Sequence, residues 1–381
     1  MLLIFAASRV VTTGILLAFA AIQPANPWTA ASPGYLEFAN LWDGRWYQLV
    51  AHYGYPAELP LTDDGHVAEN AWAFMPVYPF TVRAVMFVTG AGWELAAVAV
   101  SVVFAAAGCL VLHRLMVRAL GDHSVALVAV AVFCFGPLSP ILQVAYAESM
   151  HVFFLGLGLL LVLERRYLVL LPVIVIMAFT RPSGLAFAMF LVLHVAWRWW
   201  RARRGEESFE RRERWSAIAA VLTSGAAGLA WPGIVWAATG SFNGYVETEL
   251  AWRAAYIGYQ HLVPFTAWVQ SALWWVGWPL GVAVLVLVVA VFALVMLAPQ
   301  VRRLGVDLRL WIASYGVYLL AVFFPQSSTF RLLLPMFPLV GAIAVPRSRL
   351  WRAAVIIAGV VGQVAWVHLC WWIDGLDWTP P

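Results

Sequence analysis

Apolar runs of about 18 or more residues recur along nearly the whole chain, each long enough to cross a hydrocarbon layer of ~30 Å. Segments placed in lipid must satisfy their backbone N–H and C=O groups internally, so such runs fold as helices. The composition agrees: 63% of the 381 residues are hydrophobic and 11% are charged, against roughly 25% charged in soluble domains. The expected fold class is an all-α polytopic membrane protein, one integral membrane domain over residues 1–381, with no nucleic-acid partner. Eleven spans are expected, at 7–24, 94–117, 124–141, 148–164, 167–180, 184–200, 216–238, 268–297, 309–325, 331–346 and 351–372. The first run is too long for a signal-peptide core and lacks a convincing cleavage site, so it reads as a retained helix.

The basic residues set the orientation. All are arginine, 23 in number, with no lysine. Segment 74–90, "FMPVYPFTVRAVMFVTG", is apolar but carries Pro76, Pro79 and Arg83. If it lies along the membrane and the N-terminus is cytoplasmic, "HRLMVRALGDH", "ERRY", "RWWRARRGEESFERRERW", "PQVRRLGVD" and "PRSRLWR" all fall inside, as the positive-inside rule requires. The alternative of an external N-terminus puts Glu37, Asp43, Glu58, Asp63, Asp64 and Glu69 in the cytoplasm with a single arginine. The reading is thus a multi-pass plasma-membrane protein. Residues 25–93 form a large first external loop with interfacial helices, 198–215 a solvated basic cytoplasmic connector against anionic lipid heads, and 239–267 a second sizeable external loop.

Only five arginines remain outside: Arg45, Arg83, Arg181, Arg253 and Arg331. A cation on the disfavoured side needs a local reason, such as an anionic partner. Cys109, Cys134 and Cys370 lie far apart in apolar segments and show neither CxxC nor metal-ligand spacing, which argues against a disulfide framework or a zinc site.

The stretch "NLWDGRWYQLVAHYGYP" (40–56) holds Asp43 and Arg45 among Trp42, Trp46, Tyr47, Tyr53 and Tyr55. Trp46, Leu49, Val50 and Tyr53 share one helical face, and Asn40 is placed to cap the helix, with Asp43 in the first turn where the dipole favours a carboxylate. Tyr146, Glu148 and Ser149 in "AYAES", Arg181 in "TRPSG" and Arg331 in "SSTFRLLLP" add polar groups at external span ends. A carboxylate base, a second acid and arginines at one external cavity suit glycosyl transfer from a lipid-linked phosphosugar. The base takes the acceptor proton while cations receive the departing phosphate. Asp63 and Asp64 in "LTDDGH" read as an exposed turn.

Four blocks carry a resemblance: "WDGRWYQLVAHYGY" (42–55), "AFMPVYPFTVR" (73–83), "AYAES…LLVLERRYLVLLPVIVIMAFTRPSGL" (145–185) and "FRLLLPMFPL" (330–339). Together they resemble the PIG-V family of mannosyltransferases in the GT-C superfamily. The resemblance implies a GT-C fold with interfacial helices after the first span. It also implies an inverting α-mannosyltransferase that uses a polyprenyl-phosphate-mannose donor and an extracytoplasmic glycolipid or lipoglycan acceptor. Asp43 corresponds to the catalytic acid of the first external loop and Glu148 to the acidic position of the second. Substrate-binding candidates are Arg45, Trp46, His52, Tyr55, Tyr78, Glu148, Arg181, His261 and Arg331; no metal and no cofactor are expected. The family often has Arg directly before the Trp-Asp pair, where this chain has Leu41, with Arg45 following instead. Two alternatives stay open: a transporter or flippase of a lipid-linked sugar, and a GT-C enzyme for another polyprenyl-phosphate sugar such as arabinose or glucose.

Overall fold

The structure, a computed structural model, describes residues 1–373; the end of the expected single domain, 374–381, lies outside the described residues. The protein is all-helical and polytopic. Among the described residues six helices are long and apolar enough to cross a membrane: Leu2–Ile22, Trp93–Leu120, Arg211–Thr239, Leu280–Leu297, Gly305–Val322 and Arg349–Trp371. Shorter apolar helices occupy Val77–Thr89, His123–Phe135, Glu148–Leu163 and Tyr167–Ala178. Val77–Thr89 has 13 residues, about 20 Å of helix, less than a hydrocarbon core.

Several expected spans are broken. The segment 331–346 is three short pieces, Thr329–Leu332, Leu334–Met336 and Leu339–Ala344, because Pro335 and Pro338 remove donors that a continuous helix needs. The span at 268–297 divides into Ala267–Val276 and Leu280–Leu297 around Gly277 and Pro279. The span at 124–141 stops at Phe135, before Gly136 and Pro137.

The chain forms two compact units. Among the described residues the first comprises 1–53, 76–160 and the chain from 327 onward. Within it, Arg9 sits inside the helix Leu2–Ile22 and donates to the carbonyls of Cys134 (3.2 Å) and Ser139 (3.0 Å). Those carbonyls belong to the stretch opened by the Gly136–Pro137 break. A guanidinium with five donors thus supplies what the interrupted helix lost. Thr12 donates to Gln363 at 2.8 Å and Gln363 to the Phe135 carbonyl at 3.0 Å, tying the last long helix to the same break. The sequence-distant Cys109 and Cys134 are buried neighbours, their sulfurs 3.3 Å apart as free thiols.

The second unit comprises 54–75 and 161–326. Its helices Gly184–Arg203 and Arg211–Thr239 cross at Gly184 and Gly228: a Cβ on Gly184 would stand 2.7 Å from Cα of Gly228. Small residues at such a crossing let backbones approach where lipid gives no hydrophobic drive. An aromatic core of Tyr55, Trp72 and Trp231 closes over Met75 and Val235. The expected connector 198–215 is mostly helix, and most of its residues are exposed. Arg198 is buried and bonded to Glu207, Glu213 and the Tyr167 hydroxyl. A buried guanidinium requires carboxylates, and those acids are drawn in rather than solvated.

Candidate functional site

In the first unit the helix Asp43–Tyr53 begins at the predicted carboxylate, directly after Trp42, whose φ is +56°. Asn40 does not cap it, contrary to expectation: its amide donates to the Leu36 carbonyl at 2.9 Å, and its Oδ1 is buried without a hydrogen-bond partner. The face that packs within this unit is offset from the one that carries Trp46, Leu49 and Tyr53. Gly44, Tyr47, Val50 and Ala51 are buried, whereas Leu49 and Tyr53 are exposed and Trp46 is half-buried. Gly44 explains the choice, because a Cβ there would lie 3.3 Å from the Ala145 Cβ, so this helix seats directly against the 145–147 segment. The Ala145 N–H donating to the Ala39 carbonyl at 2.9 Å secures the same contact.

That seating assembles the site. Arg331 Nη1 is hydrogen-bonded to Asp43 Oδ2 and stands 3.5 Å from Glu148 Oε1. The side chains of Arg331, Asp43 and Glu148 are 10%, 14% and 4% exposed, so the cluster is largely screened from solvent. Glu148 opens the helix Glu148–Leu163, as Asp43 opens its own, and each carboxylate therefore lies at a helix start where the dipole supports its charge. Tyr146 lies beneath the guanidinium, 5.2 Å from ring centre to Cζ, and its hydroxyl oxygen accepts from the Asp43 N–H at 3.2 Å.

Burial lowers the pKa of the Arg331 guanidinium, and the charges of Asp43 and Glu148 more than offset this, raising it so that the group stays cationic. Burial, then the Asp43 charge, raises the Tyr146 phenol well above the usual tyrosine range. The phenol therefore stays neutral and serves as a hydrogen-bonding floor.

Other predicted residues fall elsewhere. Tyr78 is fully buried, its hydroxyl on the Ala97 carbonyl and Ser101 Oγ at 3.0 Å each. Ser101 in turn donates to the Tyr146 carbonyl at 3.1 Å, so buried Tyr78 supports the site from behind. Arg45 and His52 line a separate surface depression of about 450 Å³ with Trp28, Gln48 and Tyr53. Arg45 donates to the Trp28 carbonyl at 2.9 Å, and His52 contacts the Gln48 carbonyl at 2.9 Å. Leu41, at the position where the resembled family often carries arginine, is fully buried.

In the second unit Tyr55 is a core residue, stacked on Trp72 at 4.5 Å and donating to the Phe74 carbonyl. Arg181 is half-buried and acts electrostatically on Tyr245 and Tyr318, which also feel Glu249. His261 is exposed on a loop. Sequence reading named Tyr146 without giving it a role, and it overlooked Glu249 and Tyr245; the only signal was an acid and a tyrosine four residues apart. Among the described residues no group of three His, Cys, Asp or Glu side chains is placed to hold a metal ion.

No family model matches the chain, and no curated protein matches it. Among solved structures it is similar to ArnT from Cupriavidus metallidurans in the apo state, with 13% identity and a TM-score of 0.42 over 99% of this chain and 60% of that one. It is also similar to the archaeal oligosaccharyltransferase AglB from Archaeoglobus fulgidus in complex with an inhibitory peptide and a dolichol-phosphate, with 12% identity and a TM-score of 0.36 over 95% of this chain. Half of that second chain is covered, so this protein spans from half to three fifths of the length of the structures it matches.

Proposed function

We propose that the protein is an inverting glycosyltransferase of the GT-C type that moves mannose from a polyprenyl-phosphate-mannose donor to an extracytoplasmic glycolipid or lipoglycan, forming an α-mannoside. The observation that carries the reading is the convergence of Asp43, Glu148 and Arg331 in one screened cluster. In the proposed reaction an acceptor hydroxyl attacks the anomeric carbon and its proton passes to Asp43. The bond from that carbon to the phosphate oxygen breaks, and the lipid phosphate leaves with the electron pair. Arg331 then exchanges its carboxylate partner for the phosphate, where a planar guanidinium gives two parallel hydrogen bonds. Glu148 holds acceptor hydroxyls and keeps Arg331 oriented during that exchange. Mannose as the sugar rests on the sequence resemblance.

Purified protein in detergent, given radiolabelled polyprenyl-phosphate-mannose and a membrane glycolipid extract, is expected to form labelled mannoside. Asp43→Asn is expected to lower the rate by about 10²–10⁴-fold, the usual contribution of a positioned base, with donor binding retained. A fully active Asn variant removes the assigned role. Movement of donor across vesicles without any new glycosidic bond would instead identify a flippase.

A further inference from the structure

The second unit carries a surface groove that the proposed transfer does not use. It encloses about 400 Å³. One wall is a single face of the helix Arg211–Thr239, on which Arg211, Arg214, Trp215 and Ile218 recur at helical spacing. Val195 and Trp199 of the helix Gly184–Arg203 form the other wall, and buried Phe209 lies between.

The distribution of charge around the groove is uneven. Glu207 is shared among Arg165 (2.7 Å), Arg198 (2.7 Å) and Arg201 (3.0 Å), Glu213 is bonded to Arg198, and Glu206 to Arg201 at 3.2 Å. Arg203 and Arg204 lie over the rings of Trp199 and Trp200, at 3.6 and 4.1 Å. Arg211 and Arg214 are exposed, and among the described residues neither has a carboxylate partner; Glu210, next to Arg211, makes no ion pair either. The groove is therefore cationic at its mouth and apolar along its walls.

We propose that this groove binds an anionic glycerophospholipid, with Arg211 and Arg214 on the headgroup phosphate and an acyl chain along Val195, Trp199 and Ile218. Guanidinium groups match phosphate oxygens in pairs, and their long stems lie against apolar walls while the charge stays at headgroup level. Tryptophan is the side chain best suited to that depth. Basic pockets between membrane helices recognise anionic lipids by this combination of charge and apolar wall.

The test uses full-length protein in nanodiscs of phosphatidylcholine, alone or with phosphatidylglycerol as a minority component. Phosphatidylglycerol is expected to raise the melting temperature by a few degrees. Arg211→Gln with Arg214→Gln abolishes that rise and leaves the phosphatidylcholine value unchanged, while Arg302→Gln with Arg303→Gln, at another helix end, keeps it. A rise undiminished in the Arg211/Arg214 variant overturns the proposal. So does an equal rise from inorganic phosphate, which assigns the groove to a soluble anion, or one from polyprenyl phosphate but not phosphatidylglycerol. If the double variant does not fold, each single Gln variant is compared for retention of phosphatidylglycerol over phosphatidylcholine in native mass spectrometry. Retention equal to the unmodified protein in both overturns it.

Discussion

Arg331 is hydrogen-bonded to Asp43 across 288 residues of sequence, and the same nitrogen stands 3.5 Å from Glu148. One cation thus holds two carboxylates that would otherwise repel at close range. Arg331→Gln leaves both acids without it. Breaking a buried pair costs about 3–5 kcal/mol, and the partial exposure of this cluster places the expected loss at the low end. Arg331→Lys is expected to restore most of the stability while transfer stays down by about 10²-fold or more, because an ammonium lacks the planar fork that receives phosphate. Thermal unfolding and single-turnover transfer of the two variants separate these effects.

The neutral phenol of Tyr146 ties the site to alkaline pH. Its pKa in the folded protein is raised by burial and by Asp43, whereas the unfolded value is ~10. Below pH ~10 the phenol is protonated in both states. Above it the unfolded chain releases a proton that the folded chain keeps, so stability falls as pH rises. Tyr146→Phe is expected to flatten this alkaline decline in a melting series taken from neutral pH upward. The variant also loses the acceptor for the Asp43 N–H, so its melting temperature at neutral pH drops slightly.

Arg9 is expected to be structural. Arg9→Met removes the guanidinium donors to the Cys134 and Ser139 carbonyls; the Ser139 hydroxyl still donates to Cys134, so the expected cost is about 1–3 kcal/mol in total. Denaturation in detergent is expected to show a loss of that order. Arg9→Lys recovers only part of it, since an ammonium cannot span the same set of acceptors.

The crossing of Gly184 and Gly228 leaves no room for a side chain. Gly228→Leu is expected to destabilise by about 1–3 kcal/mol or more, the usual cost of overpacking. Gly225→Leu, one turn away with nothing within 4 Å of a built Cβ, is expected to be near neutral. Parallel melting curves check the contrast.

Transfer under the proposed mechanism relies on Asp43 and Arg331 and is expected to continue in the presence of a chelator. Rates measured before and after EDTA treatment, and again with added magnesium or manganese, test this directly.

Hydropathy alone announced an all-helical membrane chain, because lipid leaves the backbone few other choices. It could not say where helices break. Gly136, Pro137, Pro335 and Pro338 stand inside apolar runs that read as continuous, and the breaks persist because buried partners such as Arg9 take up the freed carbonyls. Within the largely exposed connector 198–215 composition counts the charges, while only packing brings Glu207 and Glu213 onto buried Arg198.

For the candidate site, residue chemistry placed Asp43, Glu148 and Arg331 among the candidates, since ionisable groups at the ends of apolar runs are costly unless used. Their meeting at one external cavity was expected from the sequence, but the packing that joins them was not legible. It depends on Gly44 admitting Ala145, which carries Asp43 to Tyr146 and Glu148, and on a broken segment presenting Arg331 to both acids. Tyr55 and Tyr78, chemically equal candidates, were drawn into packing instead. A one-dimensional pattern reports which groups are expensive to bury. Which of them meet is decided by close backbone approach in three dimensions, a short-range steric matter that hydropathy does not encode.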